Sequence, residues 1–88
     1  MDSIRFQETA IRIAVDHYND RARKHGRPVI DQRDVVVVWS SKTLQNNKII
    51  LSTRTKTGLL FEITYNGDKQ EAYIDTYQKI DNASVQLE

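Results

Sequence analysis

At Gly26-Arg27-Pro28 the spacing of apolar residues changes from helical to alternating, and that break splits the chain into a helix and a set of strands. Before it, Ile4, Ile11, Val15, Tyr18 and Ala22 fall on one helical stripe, with Ala14 beside it. Ser3 stands where an N-cap hydroxyl would accept a hydrogen bond from a first-turn amide. Arg21, Arg23 and Lys24 sit where the negative pole of a helix favours cations. Gly26 is suited to a left-handed cap, and Pro28 blocks continuation. The pattern predicts a helix over about residues 3–25.

Beyond the break the chain is strand-rich from about residue 34 to 80. Val35-Val36-Val37-Val38-Trp39 is five apolar residues in succession, the pattern of a strand buried on both faces and central in its sheet, with Trp39 in the core. Lys48 to Arg54 and Leu59 to Tyr65 alternate as strands do, joined by a turn at Thr55-Lys56-Thr57-Gly58. Asn66-Gly67 is a hairpin signal, because both residues accept the positive φ of a type I′ turn. Lys69 to Lys79 fits a strand through Ala72, Ile74 and Thr76, and a helix through Tyr73, Ile74, Tyr77 and Ile80. The strand reading gives α-β-β-β-β, a two-layer α+β domain with one helix on a four-stranded antiparallel sheet; the helical one gives α-β-β-β-α, the order of a double-stranded RNA-binding domain. Residues 1–88 read as one domain, with no linker inside.

Composition removes several function classes. A chain of 88 residues builds one thin core, too small for a deep multi-walled cleft without a second copy. With no cysteine there is no disulfide, thiol nucleophile or cysteine-based metal site. No run approaches the ~18 apolar residues of a membrane span, and the N-terminus lacks a signal-peptide layout, so the expected location is the cytoplasm. His17 and His25 are eight apart, wider than the i, i+4 pair of a helical zinc site. Ser40-Ser41 has no nucleophile elbow around it. Glu71 and Asp75 remain as carboxylates for a hydrolase at a dimer cleft, a remote alternative. The chain reads as non-enzymatic, with no cofactor and no metal.

Charge is unevenly placed. Between Val35 and Phe61 there is no acidic residue, while Lys42, Lys48, Arg54 and Lys56 occur; from Glu62 onward acids dominate. Arg21, Arg23, Lys24 and Arg27 add a basic group at the helix end. These eight cations support an alternative reading as a nucleic-acid-binding domain. A net charge of +1 and a pI near 8.0 oppose it.

A second helical stripe, Phe6, Ala10, Ile13 and His17, lies opposite the first. A helix on one sheet needs one apolar face, so this stripe predicts a helix-to-helix homodimer contact.

Two strings carry a resemblance. Val37-Val38-Trp39-Ser40-Ser41-Lys42-Thr43-Leu44-Gln45-Asn46-Asn47-Lys48, and Tyr65-Asn66-Gly67-Asp68-Lys69 followed by Tyr73-x-Asp75-x-Tyr77, resemble a family of small uncharacterised proteins of phages and prophages of Gram-positive bacteria, a domain of unknown function. The similarity covers about residues 35–80, with a looser match in the helix. It implies a context: such proteins often bind one host or phage macromolecule. The expected contact surface is a polar loop containing Ser40, Ser41, Lys42, Thr43, Gln45, Asn46, Asn47 and Lys48, long for a connection between two strands. The sequence therefore reads as a phage-type accessory protein that binds a protein partner, with self-association through the helix.

Overall fold

The computed structural model describes residues 2–54 and 58–87. Helix α1 spans Ser3–Lys24, and a 3₁₀ turn covers Gln32–Asp34. Four strands follow: β1 Val35–Thr43, β2 Asn46–Thr53, β3 Leu59–Asn66 and β4 Glu71–Gln78. They form one antiparallel sheet in the order β1-β2-β3-β4, with α1 against one face. The α-β-β-β-β reading holds, and Glu71–Gln78 is strand rather than helix. Most of the turn expected at Thr55–Gly58 lies outside the described residues, as does Lys56. Among the described residues no helix is long and apolar enough to cross a membrane.

The N-cap of α1 is Asp2, one residue before the expected Ser3: its Oδ1 accepts from the Arg5 amide at 2.8 Å. A carboxylate there also meets the positive pole of the helix. At the other end Gly26 takes φ 64°. The Arg27 amide then donates to the Ala22 carbonyl at 2.8 Å, and the Gly26 amide to Arg23 at 3.4 Å. This pair of bonds is a Schellman closure, which satisfies helix-end carbonyls and turns the chain back.

The core lies between α1 and the sheet. Phe6, Ala10, Ala14 and Val15 pack on Ile49, Leu51, Phe61 and Ile63, with Ile30 and Val35 at one side. Each fully buried Ile, Leu or Phe contributes roughly 2 kcal/mol. Fully buried alanines at positions 10 and 14 let the helix approach closely. Tyr18 meets Phe61 edge-on at 6.4 Å, and Phe6 lies 6.3 Å from Tyr65. The stripe expected to bind a second copy is thus split. Phe6 and Ala10 are core, Ile13 and His17 are half-buried, and Ile4, expected inside, is exposed. The N-terminal half of α1 buries Phe6, Ala10 and Ala14 and the C-terminal half Val15, Asn19 and Ala22, so the buried stripe shifts around the helix along its length.

Asn19 is buried among these apolar groups. Its Nδ2 donates to the Ile30 carbonyl and its Oδ1 accepts from the Ile30 amide, both at 2.8 Å. One side chain thereby pairs both backbone groups of a segment that has no strand partner. Further on, Asp31 and Asp34 close a capping box over the 3₁₀ turn. The Arg33 guanidinium hydrogen-bonds the Asp31 carboxyl and holds it below the usual carboxylate range.

Two departures occur in the sheet. β1 is an edge strand, not a central one, because a simple meander leaves its first strand at the margin. It also carries a bulge: Val37 pairs with Leu51 and Trp39 with Ile50, leaving Val38 unpaired. The extra residue shifts the alternation, so Trp39 stands beside Ile50 on the face away from α1 instead of in the core.

The hairpin at Asn66-Gly67 has a four-residue turn in place of the expected two-residue one. Asn66 Oδ1 accepts from the Asp68 and Lys69 amides at 3.1 and 3.2 Å, and the positive φ falls on Gln70. Gly67 is required for another reason: its amide donates to the Gln45 carbonyl at 3.1 Å, and a Cβ would lie 2.2 Å from that oxygen. Gly67→Ala is expected to force the two hairpin tips apart and cost about 1–3 kcal/mol, read as a lower urea midpoint with an unchanged slope.

Candidate functional site

Strand alternation sorts the sheet into two faces. Ile49, Leu51, Phe61 and Ile63 point to α1, so their intervening neighbours point to the other face, which no element covers among the described residues. Register places Val36, Ser52, Leu60 and Tyr77 in one row, and Trp39, Ile50, Glu62 and Asp75 in the next. Ser41, Lys48, Thr64 and Tyr73 form the third row, and Thr43, Asn46, Asn66 and Glu71 the fourth. Trp39, Leu60 and Tyr77 are 49%, 41% and 52% exposed. With Val36 they are exposed apolar groups on β1, β3 and β4, with Ser52 and the half-buried Ile50 of β2 between them.

Carboxylates flank these groups. Glu62 and Asp75 are direct cross-strand partners, a like-charge pairing that weakens a sheet. Lys48 Nζ reaches Glu62 Oε1 at 3.6 Å, whereas Asp75 has no ion pair among the described residues. Glu71 accepts a short hydrogen bond from the Tyr73 hydroxyl, which raises the phenol above its ordinary pKa. The charge left over on this face is negative.

Surface area supports the same reading. A folded chain of 10.2 kDa exposes about 5,300 Å². This one exposes 6931 Å². The excess, roughly 1,600 Å², is about twice the ~800 Å² that one partner contributes to a standard interface, and the chain's exposed apolar groups include those of the open sheet face and Ile80, Val85 and Leu87 in the irregular stretch 79–87.

The expected polar loop is instead the end of the β1–β2 hairpin, with a turn of only Leu44 and Gln45. Pairing continues through it, and alternation divides its residues. Ser41, Thr43, Asn46 and Lys48 share the open face; Ser40, Lys42 and Asn47 fall on the helix side, where Asn47 is buried. The seven described cations of the nucleic-acid reading do not form one surface either. Lys48 faces Glu62 at one end of the sheet, and Arg54 is at the other, its Nε donating to the Arg33 carbonyl at 3.0 Å. Arg21 and Arg27 border a groove beside α1 that Arg23 and Lys24 do not line.

A model of a family of unknown function, DUF6275, matches residues 7–87. The chain belongs to that family. In this family member the matched stretch contains β1 to β4 whole and α1 from residue 7, so the entire open face lies within it. No curated protein and no solved structure matches the chain.

Sequence reasoning missed Trp39 and Tyr77 as surface groups. Leu60 carried a signal: it is the apolar exception on the otherwise polar side of β3, with Glu62 and Thr64.

Proposed function

We propose that this chain is a non-enzymatic accessory module that holds a protein partner against the open face of its sheet. The observation that carries this reading is the exposure of Val36, Trp39, Leu60 and Tyr77 on one face of the antiparallel sheet. The unneutralised Asp75 beside them selects the partner's chemistry: apolar side chains accompanied by Lys or Arg. The same charge repels phosphate and disfavours nucleic acid on this face. The strings around Trp39 and Asn66, similar to those of phage and prophage proteins, support an accessory role inside a bacterial host cell.

The test is capture from bacterial lysate by tagged protein, with and without nuclease, comparing the native chain with Trp39→Ser/Tyr77→Ser. Both residues are half-exposed, so the variant keeps its fold. Central aromatic anchors are worth about 2 kcal/mol or more each, so binding of the captured protein is expected to weaken at least ~30-fold in the variant. Nuclease is expected to change nothing. Capture that survives the double substitution, or that disappears with nuclease, overturns the proposal.

A further inference from the structure

On the opposite side of the sheet, an open groove of about 670 Å³ runs between the C-terminal half of α1 and β3–β4. Its volume lies within the usual range for small-molecule sites. His17, Arg21 and His25 follow one another at four-residue intervals and all line it. Arg27 completes the set, because the Schellman closure through Gly26 brings its backbone to 2.8 Å from the Ala22 carbonyl. Among the described residues no Asp or Glu lines the groove. The strand alternation of β4 explains why: Glu71 and Asp75 take the open face, leaving Thr76 and Gln78 as neutral hydrogen-bonding groups on this wall. Tyr18 and Leu59 add apolar surface beside them.

We infer that this groove binds a small phosphate-bearing ligand of the nucleoside phosphate class. Arg21 and Arg27 supply planar guanidinium groups for phosphate oxygens. Thr76 and Gln78 meet the polar edges of the ligand, and Tyr18 and Leu59 meet its apolar body. A polymer is the poorer fit, because Arg23 and Lys24 lie outside the groove and give no second row of cations to follow a phosphate backbone. The inference is independent of the open sheet face.

The test is titration of the full chain with ADP, with inorganic phosphate and with a single-stranded oligonucleotide, followed by calorimetry. ADP is expected to bind more tightly than inorganic phosphate. Arg21→Gln/Arg27→Gln is expected to weaken ADP at least tenfold while retaining the native thermal transition, since both side chains are exposed. Trp39→Ser/Tyr77→Ser, on the other face, is expected to leave ADP affinity unchanged. No ADP binding at millimolar concentration overturns the inference. So does binding unaffected by the arginine substitutions, or an oligonucleotide that binds with steep salt dependence where ADP does not.

Discussion

Phe6→Asp is expected to unfold this domain, not to separate two copies of it. The Phe6 side chain is 5% exposed and packs against the core, with its ring 6.3 Å from Tyr65. Removing a buried Phe ring costs about 3–5 kcal/mol, and the carboxylate adds a desolvation penalty of several more. A domain of this size has roughly 4–13 kcal/mol in total. Far-ultraviolet circular dichroism of Phe6→Asp should therefore show loss of the cooperative transition at ambient temperature. Ile13→Asp, at a half-buried position beside the core, should remain folded with a lowered midpoint. A Phe6→Asp chain that stayed folded while its mass in solution halved would show the helix face to be a subunit contact and contradict the packing described above.

Asn19→Ala is the second large effect. It deletes both hydrogen bonds to Ile30 and leaves a buried amide and a buried carbonyl without partners. Each orphaned group costs about 1–3 kcal/mol, so a loss of roughly 2–4 kcal/mol is expected in urea unfolding, with allowance for partial water entry. Asn19→Asp separates hydrogen bonding from packing. A carboxylate can still accept from the Ile30 amide but cannot donate to its carbonyl. Burial and the facing carbonyl raise that carboxyl's folded-state pKa above its unfolded value, so protonation favours the folded state. Asn19→Asp should therefore be least stable at neutral pH and regain stability relative to the native chain as pH falls. An Asn19→Asp variant as stable as the native chain at every pH, beside a destabilised Asn19→Ala, would show that Asn19 acts through shape alone.

Much of the architecture was legible because local signals agreed. The Gly26-Arg27-Pro28 break ends the helix through the mechanism its residues favour, and the alternation of Leu59 to Tyr65 appears as β3 with Phe61 and Ile63 inside. Asn19 could have been found: a polar residue four positions after Val15 and three before Ala22 on a buried stripe requires a partner for its amide. The distribution of the helix's second stripe could not be found that way. Whether Phe6 and Ala10 meet a sheet or a second helix depends on the angle at which α1 crosses the strands, and the chain's periodicity contains no such angle.

The candidate site divides along the same line. By itself the sequence determined one helix and its end, a run of strands with a hairpin at Asn66-Gly67, and a surplus of acid from Glu62 onward, because each follows from the chemistry of neighbouring residues; it left Lys69 to Lys79 open between strand and helix and read Ser40 to Lys48 as a long loop. Only the tertiary structure decided which residues face outward. Unbroken alternation from Val35 would have put Trp39 beside Val37 in the core; the bulge at Val38 rotates it onto the open face with Leu60 and Tyr77. The same alternation divided Ser40 to Lys48 between two faces, with Lys42 on the helix side and Lys48 on the open one. The physical reason is that side-chain direction in a strand has a period of two residues, so a single unpaired residue reverses the face of everything after it.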